Sequence, residues 1–165
     1  MCIIHYKKQC VIFLLMCFSL PLAAISWSDL LRIEMLQTYD DLNEKIKQCR
    51  QERKVINRHD INSKWLHDLS REQRGIALLV LNSMAIDKCS EVEESNYTKA
   101  LLSYVAETGD TKRLDDWLFL KKIFIHKEQQ TNFQELDFRQ VQILSEKPPF
   151  NKPFDPLQVL SLYSE

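Results

Sequence analysis

A chain of 165 residues carrying 22 basic and 23 acidic side chains is close to neutral. That balance supplies no clustered positive charge to neutralise phosphates, so nucleic acid is not an expected partner. Only two glycines are present, Gly75 and Gly109, and neither has a second one nearby, which removes the phosphate-cradling loops of the common nucleotide enzymes.

Lys7 and Lys8 precede an apolar run from Val11 to Leu20, and Pro21-Leu22-Ala23-Ala24-Ile25-Ser26 brings small residues ahead of the first acid, Asp29. This is the layout of a cleavable secretory signal peptide. Small side chains at −3 and −1 favour a cut after Ser26, with Ala24 second, so residues 1–26 are read as the signal. The stretch from Val11 to Ile25 holds about 15 apolar residues, short of the roughly 20 that span a bilayer, so no stable membrane insertion is expected after cleavage.

Cleavage removes two lysines and leaves 20 basic against 23 acidic side chains; it also removes Cys2, Cys10 and Cys17 and leaves two cysteines, Cys49 and Cys89. In an oxidising compartment these two are expected to pair, and the chain-entropy model makes such a link worth about 4 kcal/mol. Two separate buried thiols are the alternative. A zinc site is a poorer one, because His59, His67 and His126 match no zinc spacing.

From Asp29 to about Asn57, Leu31, Met35, Tyr39, Leu42, Ile46, Cys49 and Ile56 form one helical stripe with a gap at Arg53. Acids fall early and bases late, which complements the helix dipole. The stripe is read as an internal packing face, with a self-pairing coiled coil as the alternative. Residues 59–69 form a connector with a turn or two of helix around Trp65, Leu66 and Leu69. Ser70 and Gln73 then make a capping box that opens a second long helix. Ile76 to Leu81, with Met84, Ala85 and Ile86, is apolar almost all round, as expected of the central helix of a bundle.

Glu91, Glu93 and Glu94 open a third helix, which Gly109 ends. Asp110 or Thr111 caps a fourth, with an apolar face of Leu114, Trp117, Leu118, Leu120, Ile123 and Phe124, and the short junction predicts an antiparallel hairpin. Phe133, Leu136, Phe138, Val141, Ile143 and Leu144 fit a helix and an alternating strand in part; helix is the reading taken. Pro148 to Phe154 must be extended, and Asp155 with Pro156 starts a final short helix. The expected fold is therefore all-α: a bundle of four to five main helices over residues 27–146, with a Pro-rich segment and short helix over 147–165. The Cys49–Cys89 bridge ties the first helix to the loop after the second.

Motifs for chemistry are sparse. His59-Asp60 and His67-Asp68 could each offer metal ligands, but lie in a connector with only His126 in reserve. Asp40-Asp41, Glu93-Glu94 and Asp115-Asp116 place neighbouring acids about 100° apart on a helix, which suits solvated faces better than a shared proton. Ser70 and Ser83 have cap and core-lining readings, and there is no Gly-x-Ser-x-Gly elbow. Leu69-Ser70-Arg71-Glu72-Gln73 is similar to the Leu-Thr-x-x-Gln signature of small helical periplasmic chaperones. Serine stands in place of threonine there, no second copy follows, and the same residues are accounted for as a capping box.

The basic stretch from Lys45 to Arg58 and the acidic stretch from Asp87 to Glu94 flank the two cysteines, so pairing of Cys49 with Cys89 would bring opposite charges together. Arg50 and Arg53 are candidates for meeting a partner there. Phe150 and Phe154 are two more, unless they strap the Pro-rich segment onto the bundle. The expected function is that of a small exported protein acting by binding another exported protein, as an inhibitor, immunity protein, chaperone or secretion accessory, with no cofactor. Two other classes stand beside it. A small exported hydrolase would show converging titratable groups in a pocket, and a self-assembling envelope component would leave the stripe from Leu31 to Ile56 exposed.

Overall fold

A computed structural model describes residues 25–122 and 130–163. The signal reading of residues 1–24, together with Ile123, Phe124 and His126, lies outside the described residues. Within them the chain is all-α, with helices α1 (Trp27–Gln51), α2 (Lys64–Asp68), α3 (Arg71–Cys89), α4 (Glu91–Thr108), α5 (Lys112–Leu120), α6 (Gln130–Gln134), α7 (Phe138–Ser145) and α8 (Pro156–Ser161).

α3 is the hub, packing against α1, α2, α4, α6, α7 and α8. Its start is fixed as the sequence predicts: the Ser70 hydroxyl accepts from the Gln73 N–H at 3.2 Å, and the Gln73 side chain accepts from the Ser70 N–H at 3.3 Å. Burial follows the apolar run, with Ile76, Ala77, Leu78, Val80 and Leu81 enclosed, although Leu79 faces outward. Arg74 locks α2 to α3 by donating to the carbonyls of Leu66, His67 and Leu69 at 2.7 to 2.9 Å.

Two hydrophobic clusters divide the interior. One gathers around α3 and takes in Ile56, Leu66, Val141, Phe150, Phe154 and Val159. The other lies between α1 and α4, where Met35 and Leu42 meet Tyr97, Ala100 and Leu101, and α5 covers it with Leu114 and Trp117. The Cys49–Cys89 disulfide, with Cα atoms 6.2 Å apart, joins the ends of α1 and α3 and sets the end of α1 beside the start of α4. The two helices therefore run antiparallel. Gly109, at φ +71°, closes α4, and its N–H reaches the Val105 carbonyl at 2.8 Å; only a residue without Cβ takes that conformation at no cost.

Four expectations need correction. α1 ends at Gln51 rather than near Asn57, because Glu52 caps it and the chain then turns so that Ile56 reaches the α3 cluster. Cys89 belongs to the last turn of α3, not to a loop beyond it. The apolar segment from Phe133 to Leu144 is two helices, since the Asp137 carboxylate accepts from the Arg139 and Gln140 N–H groups and starts α7 afresh. Opposite charges do flank the disulfide, yet no ion pair among the described residues joins the Lys45–Arg58 stretch to the Asp87–Glu94 stretch.

The Pro-rich segment is strapped down. Phe150 and Phe154 sit in the core with ring centroids 5.4 Å apart, and the Phe154 N–H donates to the buried Asn82 Oδ1 at 3.1 Å. The Lys54 N–H donates to the Pro153 carbonyl at 2.8 Å in an isolated parallel bridge, and Gln158 Nε2 donates to the Ile56 carbonyl. Asp155 caps α8, with Pro156 in its first turn.

Candidate functional site

A groove of about 620 Å³ that combines apolar walls with charge lies where α1, α3, α4 and α5 converge. α1 lends Tyr39, Ile46 and Arg50; α3 lends Ile86 and Asp87; α5 lends Trp117 and Leu120. The aromatic floor is interlocked: Tyr97 meets Tyr39 at 5.2 Å and Trp117 edge-on at 5.1 Å. Such offset and edge contacts fix ring orientation as well as burying area. Burial, reinforced by the neighbouring Tyr39, pushes the Tyr97 phenol up, so it stays neutral.

Lys121, just past α5, organises the charges. Its Nζ donates to Asp87 Oδ1 at 2.9 Å and stands 2.7 Å from Glu94 Oε1, tying α5 to both α3 and α4. It also lies 5.4 Å from the centroid of the Trp117 ring. Partial burial alone would lower its pKa, but the hydrogen bonds and charges of Glu94 and Asp87 outweigh that and hold it above the ordinary lysine value.

The residues singled out in the sequence are scattered by the fold. Cys49 and Cys89 are bonded to each other. Arg50 is exposed and lines the groove, and among the described residues its side chain makes no hydrogen bond or ion pair. Arg53 is exposed and lies outside the groove lining. Phe150 and Phe154 are enclosed, at 1% and 0% exposure, so neither offers a surface to a partner in the folded chain. Of the stripe from Leu31 to Ile56, Leu31, Met35, Leu42, Cys49 and Ile56 are buried, whereas Tyr39 and Ile46 are half-buried and line the groove.

His59 faces Asp60 at 3.6 Å and His67 faces Asp68 at 3.9 Å, both as exposed neighbours. Among the described residues no three His, Cys, Asp or Glu side chains come together to hold a metal ion. No described helix is long and apolar enough to cross a membrane.

Sequence reasoning missed the groove itself. Tyr39, Ile86 and Trp117 read as core positions by spacing, and Lys121 carries no local signal, because its two acids lie 34 and 27 residues upstream. No protein-family model, curated protein or solved structure matches the chain.

Proposed function

We propose that the chain is an exported binding protein whose groove between α1, α3 and α5 holds a segment of another exported protein, residues 1–26 serving as a cleaved signal. The occupant is a polypeptide that sets an apolar side chain against Trp117 and Leu120 and a carboxylate against Arg50. Inhibitor, immunity, chaperone and secretion-accessory roles all use contact of this kind.

The observation that carries the reading is the Arg50 guanidinium, unpaired among the described residues, at the edge of an apolar-walled groove whose own carboxylates are taken up by Lys121. A guanidinium presents a planar fork that matches a carboxylate, and Arg and Trp are among the residue types enriched where binding energy concentrates. Catalysis is less well supported. A lysine used as a base is depressed towards neutrality, and Lys121 is displaced the other way. A paired disulfide is at home in an oxidising compartment, which suits export.

The test is site-directed photo-cross-linking of the full chain in its own host. A reactive group in place of Leu120, in the groove, should capture one protein through a segment carrying Asp or Glu. The same group in place of Leu157, which is 74% exposed but outside the groove, should not. Equal capture from both positions, or none from Leu120, would sink the reading.

A further inference from the structure

We infer that the Cys49–Cys89 disulfide clamps one wall of the groove, so that a dithiol reductant switches the groove off without unfolding the chain; the inference rests on the groove being the binding site. Each cysteine lies within two residues of its lining. Arg50 and Gln51, which follow Cys49, line one side, and Ile86 and Asp87, which precede Cys89, line the other.

The two walls are secured in different ways. α5 is tied to α3 and α4 through Lys121. Every side-chain hydrogen bond and ion pair that α1 makes among the described residues stays within α1 and its two capping residues. The buried side chains of α1 pack mainly in the α4 cluster, whereas those of α3 belong to the other. Among the described residues, apolar contact and one disulfide hold the last turn of α1 itself against α3; the next ties come beyond the helix, at Lys54 to the Pro153 carbonyl and at Ile56 in the α3 cluster. A helix end without side-chain hydrogen bonds or ion pairs to its neighbours opens locally at lower cost than one that has them. Arg50 is in that turn.

Cys49 is fully buried while Cys89 is half-buried, so a thiolate arriving from solvent meets the Cys89 side of the bond first. Attack on Cys89 Sγ breaks the S–S bond and forms a mixed disulfide, and Cys49 leaves as a thiolate that takes a proton from water. The second thiol of the donor attacks the mixed disulfide and releases Cys89 in the same way. The donor departs oxidised and two electrons have passed to the protein. α1 then keeps its seat on α4, but Arg50 and Gln51 lose their fixed position opposite Ile86 and Asp87.

Hydrogen exchange read by mass spectrometry on the oxidised chain, the dithiol-reduced chain and the Cys49→Ser, Cys89→Ser double variant tests this without needing the partner. Amides of residues 48–51 should exchange at least about tenfold faster in the last two samples, with the middle of α4 unchanged. Unchanged exchange at 48–51 overturns the clamp. So does acceleration of all helices together, since that is global unfolding.

Photo-cross-linking from position 120 separates the two claims. Capture by the oxidised chain and loss on reduction supports the switch; capture in both states overturns it and leaves the groove standing. Capture in neither state fails the groove as a binding site, and a switch of that site falls with it.

Discussion

Truncating Phe154 to alanine should destabilise the protein by about 3–5 kcal/mol, the range for deleting an enclosed aromatic ring. The structure argues for the upper half of that range. The ring is 0% exposed and packs on Phe150. The backbone around it cannot collapse inward, because the Phe154 N–H is held by Asn82 and the adjacent Pro153 carbonyl by Lys54. Domains are commonly stable by about 5–15 kcal/mol, so the variant should fold but with much of its margin gone. Urea unfolding followed by far-UV circular dichroism measures the change, with a similar slope expected for the two proteins. Leu157→Ala, at an exposed position three residues on, should stay within about 0.5 kcal/mol of wild type. A cost below about 1 kcal/mol for Phe154→Ala would mean that the Pro-rich segment is not part of the core.

Three further outcomes follow from named groups. The Tyr163 hydroxyl is buried with no hydrogen-bond partner among the described residues, while Arg74 stacks 4.1 Å from the ring centroid, so Tyr163→Phe keeps the cation–π contact and should be neutral or stabilising by about 1 kcal/mol in the same unfolding assay. A clear loss would mean the hydroxyl has a partner. Lys121→Met should cost less than about 1 kcal/mol at neutral pH, because ion pairs this exposed are weak. Since the folded state raises the lysine pKa, its contribution is complete at neutral pH and fades as pH climbs through the raised value. Stability measured against pH should thus show wild type and variant converging in alkali, and a widening gap would contradict the assignment. Finally, Ser26 caps α1, accepting from the Asp29 N–H at 3.1 Å and donating to Asp29 Oδ2 at 2.6 Å, and this hydrogen bond holds the Asp29 carboxyl below its usual range. A cut after Ser26 discards this cap; mass spectrometry of the exported chain should find Trp27 as its first residue, and a chain beginning at Ile25 would contradict residues 1–26 as the signal.

Features of the fold written in contiguous residues were legible. The Ser70–Gln73 box, the Gly109 stop and the Asp155-Pro156 start each depend on a few neighbouring groups, and each appears where the sequence places it. The disulfide was legible by elimination, once two cysteines remained. Boundaries decided by competition were harder. The gap at Arg53 in the first stripe was the sign that α1 stops early, but Ile56 kept the spacing while serving a different cluster. Asp137 was the sign of a break between α6 and α7, hidden by apolar residues that continue on both sides.

The groove was not legible because it is a tertiary object. Its lining comes from four helices, and a residue half-turned towards it, such as Tyr39, has the same spacing as one turned fully into the core. Of the four partner-contact candidates only Arg50 lies there. Phe150 and Phe154 show why apolar residues beside prolines read ambiguously: the same side chains that would be costly in water can be spent on a partner or on the chain's own core, and here the core has them.

The most direct test of the account sets Arg50→Glu against Arg53→Glu. Both reverse one exposed charge within three residues of each other, so net charge and long-range attraction change alike, but only Arg50 lines the groove. Binding to the segment captured from position 120, prepared as a labelled synthetic peptide and followed by fluorescence anisotropy, should weaken at least about tenfold for Arg50→Glu and by less than about twofold for Arg53→Glu. Equal losses in the two variants would contradict a groove that reads its partner through Arg50.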